Sequence, residues 1–386
     1  MGPKRDFGKG LTIRIYCSCS RSSHTSAVVF GNIRRQSISA YIADPCKTGQ
    51  RACQQDLRGY VMEDWDPAVV KLLSIFMPTT FERRLAIKGY SRFVHYTTAE
   101  NLFHILDKEE VWFRNTRCMN DHRDIENGIM QLHQWSNIPE STASLVSALE
   151  SCIPGVWQEG LKKYRQWLPN LRTQSYVLSV AEQDPDENET GRLSLWRAFE
   201  KGVVGVAVVV NVAPFMQMTD ALMAYPSPVT YWTRQQFEDE FNVVTHRILA
   251  NKDFLSQVNK FALTEMVFLM LLFAATCSKH PGLHHEREWR VLTNPLLWPS
   301  TRFIEHQAVI DSVPQTVYKL PLKNSPDDNL TGIELPELID RVIIGPSIHA
   351  GPIRDAIVAK LAEKNVPDPG SKVVASGIPV RAKGMG

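Results

Sequence analysis

Charge of one sign is what this chain has little of. Its 43 Lys and Arg stand against 41 Asp and Glu, a net +2, too balanced to argue by itself for a nucleic acid gripped through extended phosphate contacts. Long uninterrupted apolar runs are also missing. The best candidate, FALTEMVFLMLLFAATC at 261–277, is broken by Glu265. Only Met266 to Cys277 is left uncharged, short of the roughly 20 residues a membrane-spanning helix needs, so a buried helix is expected and no membrane partner. The first thirty residues hold no continuous apolar stretch of the secretory kind. There is no Gly-rich phosphate loop, no Gly-x-Ser-x-Gly elbow and no Cys/His nucleophile arrangement, so nothing supports a P-loop, α/β-hydrolase or thiol-protease reading. Beyond residue 58 only Cys118, Cys152 and Cys277 occur, as suits a reducing cytoplasm.

What is there has the composition of an ordinary globular protein, 44% hydrophobic and 22% charged over 386 residues, enough for one large domain with an appendage. Residues 1–58 carry ten Lys/Arg against three Asp, or +7. The remainder of a +2 chain is therefore near −5, mildly acidic. Four of the seven cysteines, Cys17, Cys19, Cys46 and Cys53, sit in that basic stretch beside CSCSRSSHTS and RRQS. Neither helical nor strand periodicity runs there, and the spacings match no familiar zinc module. Residues 1–62 are expected to be a disordered extension, with a targeting peptide or small zinc site as the alternatives.

From residue 64 the texture changes. WDPAVVKLLSIFM (65–77) predicts a helix with Pro67 in its first turn. RFVHYTT (92–98) predicts a strand, AENLFHILDKEE (99–110) an amphipathic helix, VWFRN (111–115) a strand, and MNDHRDIENGIMQLHQW (119–135) a helix capped by Asn120 or Asp121. Helix is expected over 139–170, a strand at 175–181, an acidic loop at 182–191, a short helix at 192–199 and a buried strand at 202–211. Further strands fall at 227–232, 286–293 and 340–346, with helix over 234–279 and 353–366. Strands and helices do not alternate strictly, so the class is α+β. Residues 63–368 are expected to form a single domain and 369–386 a loose C-terminal tail.

The stretch HHEREWRVL (284–292) raises the functional question. On an extended strand alternate residues share a face, so Glu286, Glu288 and Arg290 point one way and Arg287, Trp289 and Val291 the other. The carboxylates then serve a structural ion-pair network or a chemical one. Cys277, His280, His284 and His285 lie just upstream at spacings that suggest metal, yet no full ligand set is evident and no metal is expected.

FVHYTTAENLFHIL, RCMNDHRDIENG, LSLWRAF followed by GVAVVV, KHPGLHHEREWRVL and RVIIGP occur in an order that resembles domain of unknown function family 2971, over roughly residues 90–365. Asp124 stands where that family usually has Glu, and Phe199 where it usually has Tyr. A strand bearing His with Tyr and Thr, followed by a late Glu-x-Glu strand, also resembles the ADP-ribosyltransferase superfamily. That likeness implies a mixed, split β-sheet core with surrounding helices, and NAD as substrate. It would make Glu288 the carboxylate that stabilises the ribosyl oxocarbenium, and Glu286 the residue that orients or deprotonates an acceptor. His95 would grip NAD, with Thr97 on the same strand face. Arg197 and Arg290 would face the pyrophosphate, and Trp196 or Tyr96 would stack on nicotinamide or adenine. The Asn120, Asp121 and Asp124 turn has no clear role in that scheme beyond capping.

The leading expectation is thus an NAD-consuming enzyme that transfers ADP-ribose to a protein or nucleic-acid acceptor, a chemistry suited to a toxin or phage-defence effector. Its rivals are a catalytically silent nucleotide-binding or protein-interaction module, and a Mg-dependent nuclease-like hydrolase using Asp121, Asp124 and the glutamates. One observation separates the first two. His95, Trp196 and Glu288 lining one concave pocket favours the enzyme; Glu288 closed off by an arginine pair favours the silent module.

Overall fold

A computed structural model describes residues 65–119, 125–197, 204–217 and 219–379. The expected N-terminal extension and the Asn120, Asp121 and Asp124 turn lie outside them. The strands are β1 (Arg92–Thr98), β2 (Glu110–Asn115), β3 (Tyr176–Glu182), β4 (Gly205–Asn211), β5 (Tyr225–Pro228), β6 (Glu288–Thr293), β7 (Ile304–Ile310), β8 (Val313–Pro321), β9 (Ile339–Ile344) and β10 (Val373–Ala375). They form one open sheet in the order β10-β9-β4-β1-β3-β2-β8-β7, with β6 pairing β3 and β5. Among the described residues every pairing between these strands is antiparallel except β9 with β10. The class is α+β, as expected.

The sheet forks at β3. β6 pairs β3 from Tyr176 to Ala181 and so occupies one edge. On the other edge β1 meets only the end of β3 (Phe93 with Glu182, Val94 with Ala181), and β2 only its start (Arg114 with Val177, Asn115 with Tyr176). β1 and β2 therefore diverge from the middle of β3, and His95 points into the gap.

Register decides which side chains share a face, because residues directly opposite on antiparallel strands project together. One face carries Phe93, His95 and Thr97 of β1, Val206, Val208 and Val210 of β4, Val180 of β3 and Trp289 of β6. It packs on Leu102 and Leu106 of helix Ala99–Lys108 and on Ile357 and Leu361 of helix Ala350–Glu363. The opposite face carries Val177, Ser179 and Ala181 of β3 and Glu288, Arg290 and Leu292 of β6. Val177 and Leu292 there join a large helical cluster centred on helix Lys260–Thr276. Gly128 and Gly160 let two neighbouring helices approach that centre: a Cβ on Gly128 would stand 2.2 Å from the Ala275 carbonyl oxygen, and one on Gly160 2.5 Å from Val267.

The apolar run at 261–277 is a buried helix, and its Glu265 is held by Lys163, 2.6 Å from Oε2. Among the described residues no helix is long and apolar enough to cross a membrane. Several boundaries differ from expectation. The helical stretch 234–279 is three helices, Arg234–Ala250, Lys252–Gln257 and Lys260–Thr276, separated where Asn251 and Asn259 act as caps. The strand expected at 227–232 is β5, earlier by two residues and ending at Pro228. Pro369–Lys372 is helical and Val373–Ala375 adds a strand beside β9, so the sheet extends into the expected tail.

Candidate functional site

Glu286 and Glu288 do not share a strand. Pro281 starts a 3-10 turn over Pro281–Glu286, and Arg287 adopts a left-handed φ of 48°. The chain becomes extended only at Glu288, so the alternate-face argument fails for Glu286. Arg287 is fixed in that unusual conformation by ion pairs to Glu182, at 2.8 Å, and to Asp184. The two glutamates nevertheless converge on one cation. Lys279 Nζ lies 2.9 Å from Glu286 Oε2 and 2.8 Å from Glu288 Oε2.

Glu288 is enclosed. It is 6% exposed. Ser179 Oγ donates to its Oε1 at 2.6 Å, and Arg290 Nε donates to the same oxygen at 3.0 Å. Arg290 itself is fully buried, and its Nη1 donates to the Thr276 carbonyl at 2.6 Å. The backbone N–H of Glu288 donates to Tyr231 Oη at 2.9 Å. Burial alone would raise the Glu288 carboxyl, but the charges of Arg290 and Lys279, with the Lys279 and Ser179 hydrogen bonds, hold it down at about 2. A carboxylate this stabilised stays ionised and is a poor proton acceptor.

His95 is on the other face. Its Nδ1 sits 3.0 Å from the Ser179 carbonyl, which only accepts, so Nδ1 carries the proton. Burial lowers the imidazole pKa, opposed by that backbone bond. His95 and Glu288 thus both touch Ser179, one at its backbone and one at its hydroxyl, from opposite sides of the sheet. Thr97 is buried on the His95 face.

Tyr96 and Trp196 share the Glu288 side but are committed to packing. Their rings meet edge to face at 4.9 Å. Tyr96 Oη accepts from Arg192 N at 2.7 Å, and burial pushes its pKa up to about 12. Trp196 Nε1 donates to the Thr190 carbonyl at 2.8 Å, and its ring lies where a Cβ on Gly191 or Gly345 would collide with it. The expected stacking role is therefore filled by the protein itself. Arg290, fully buried in its pairs, is not placed to meet a pyrophosphate, whereas Arg197 is exposed. Among the described residues no group of three or more His, Cys, Asp or Glu could hold a metal ion.

Sequence reasoning missed the residues that organise this region. Ser179 is the hydroxyl in the middle of the apolar YVLSVAE strand, a signal open to reading. Arg192 knits the loops together by bonding Glu187 and the carbonyls of Glu182, His285 and Glu286. Glu182 gathers Arg83 and Trp289 Nε1, both at 2.6 Å. On the His95 face lies a cavity of about 260 Å³. It is walled by Leu178, Val180, Val208 and Val210 of the sheet, Leu102 of helix Ala99–Lys108, Arg84 of helix Pro78–Ala86, and Trp65, which precedes helix Pro67–Phe76. Glu288, Tyr96 and Trp196 are not among its lining residues.

Neither the curated proteins nor the solved structures include a match to this chain. Residues 195–291, which run from the Trp196 turn to β6 and include Lys279, Glu286, Glu288 and Arg290, match the model of a family described as protein of unknown function (DUF2971).

Proposed function

We propose that the domain is a catalytically silent ligand-binding module in which the EREWR stretch is structural. The observation that carries this reading is the compensation of Glu288. Lys279 and Arg290 neutralise it and Ser179 bonds it inside a site that is 6% exposed. A buried charge so paired is costly to disturb, because removing it strands its partners in a low-dielectric interior. The test is nicotinamide release from NAD by the full chain, beside Glu288→Gln. The expected result is no release by either protein and a marked loss of folding stability in the variant. Glu288-dependent release, with the variant as stable as the wild type, would overturn the reading.

A second reading, an NAD-consuming transferase with a macromolecular acceptor, is favoured by a separate observation. Tyr96, Ser179 and Glu288 occupy one face of three successive strands, β1, β3 and β6, and Glu288 is held as an anion. A fixed anion is what a developing ribosyl cation requires. In that reading Glu288 stabilises the ribosyl cation, Glu286 orients the acceptor, and a toxin or phage-defence role follows from the chemistry. It requires the Lys279 and Arg290 pairs to open for substrate.

A further inference from the structure

Arg84, on helix Pro78–Ala86, is a half-buried cation. Its neighbour Arg83 meets Glu182 at 2.6 Å, whereas Arg84 has no carboxylate within ion-pairing distance among the described residues. Its Nη1 donates to the Pro226 carbonyl at 2.8 Å and its Nη2 to the Phe215 carbonyl at 3.4 Å. The guanidinium lies 5.3 Å from the Trp65 ring centre and 6.0 Å from that of Trp289. Carbonyls and aromatic faces solvate a guanidinium but leave its unit charge in place. Burial lowers its pKa to about 10, still far above neutrality, so the charge persists.

The Arg84 side chain borders the cavity on the His95 face. Arg84 is one of the lining residues, and the walls around it are otherwise dominated by Leu, Val, Ile, Phe and Met. Among the described residues no other Lys or Arg lines the space. The titratable side chains that do are His95, Asp220 and Tyr225. Burial lowers the His95 pKa, and the Asp220 carboxylate accepts from Tyr225 Oη at 3.2 Å and is otherwise engaged rather than free. An apolar chamber of this size whose one cation has no carboxylate partner among the described residues is complementary to an apolar molecule ending in one negative charge. A doubly charged phosphate head would leave surplus charge against apolar walls, and a neutral tail would leave the guanidinium unanswered.

We propose that the cavity on the His95 face binds a single-chain aliphatic carboxylate, with the carboxylate on Arg84 and the chain along Leu178, Val180, Val208 and Val210. This rests on the reading of the domain as a binding module and names its ligand class. Guanidinium N–H groups beyond the two already bonded to carbonyls remain to donate to a planar carboxylate.

The probes are laurate and its uncharged counterpart dodecanol, titrated by calorimetry into the delipidated full chain. Wild-type protein is expected to bind laurate one to one, at least about tenfold more tightly than dodecanol, as a charge-assisted hydrogen bond implies. Arg84→Gln should erase that difference while leaving dodecanol affinity unchanged. The laurate-to-dodecanol comparison on wild-type protein decides the matter even if the variant does not fold. No laurate binding overturns the proposal. So does equal affinity for the two probes, which would mean a greasy space without a carboxylate site. Nicotinamide release that depends on Glu288 would sink the binding-module reading instead, and is read in a separate assay.

Discussion

At the scale of single residues, Glu288 and His95 carry opposite electrostatic lessons. Glu288 is depressed from 4.5 to about 2, so the unfolded chain binds more protons than the fold between those values. Its contribution to stability is complete above about pH 4.5 and is lost as pH falls toward 2. Glu288→Gln removes the anion and leaves Lys279 and Arg290 facing each other in a buried site, for an expected loss of about 3–5 kcal/mol in urea unfolding at neutral pH. A change under 1 kcal/mol would mean that the network is loose enough to open for a ligand. His95 is also depressed, from 6.5, but as a base it is neutral in the fold and protonated when unfolded. Stability should therefore begin to fall as pH drops below about 6.5. His95→Gln, which keeps a donor for the Ser179 carbonyl, should flatten the stability profile between pH 5 and 7; an unchanged slope would place that titration elsewhere. The chemical identity of these residues was legible in RFVHYTT and EREWRVL. Their division between two faces was not, because it depends on the register of β1 and β6 against β3, set by chain segments some eighty and a hundred residues away.

Elements were legible where their period was intact. β1, helix Ala99–Lys108, β4 and β9 came from continuous apolar or amphipathic patterns that local sequence can express. The hairpin of β7 and β8 was missed because β7 is largely exposed, so no buried stripe marks it. Its turn is Asp311-Ser312, with φ of 51° and 66°, where Asn-Gly is the usual signal for two successive positive φ values. Ser312→Gly should relieve the left-handed strain and stabilise the domain by about 1 kcal/mol, read as a rise in thermal midpoint; a fall would show that Ser312 makes a compensating contact. Glu286 was misplaced for a related reason: the turn at Pro281–Glu286 and the positive φ of Arg287 interrupt what reads as an unbroken strand. Helix packing gives the sharper test. Gly128 meets the Ala275 carbonyl so closely that a methyl group has no room, and backbone cannot swing aside as a side chain can. Gly128→Ala should cost about 1–3 kcal/mol despite its better helix propensity. A stabilised variant would mean that the two helices are free to separate.

For the molecule as a whole, the forked sheet separates two environments with opposite electrostatics. On one side of β3 the charges of Glu288, Lys279 and Arg290 are matched in place, which fixes the start of β6 against β3 and the helical layer. On the other side Arg84, with no carboxylate partner among the described residues, borders an apolar cavity. Folding alone has little reason to keep such a pairing of cavity and charge, since a cavity forfeits packing contacts and a half-buried cation gains from a counter-ion. A bound carboxylate with an aliphatic tail would correct both defects at once. The same molecule would then couple ligand to stability, because it binds the fold and not the open chain. At a free concentration of one hundred times its Kd, such a ligand adds about 2.7 kcal/mol. Laurate should therefore raise the unfolding midpoint of the full chain in a concentration-dependent way, dodecanol should do so less, and Arg84→Gln should abolish the difference. The Glu288 network predicts the reverse dependence, since Glu288→Gln lowers the midpoint in the absence of any ligand and leaves the laurate increment intact. If the increment vanished in Glu288→Gln as well, the two faces would be coupled through Ser179, the residue that both His95 and Glu288 touch.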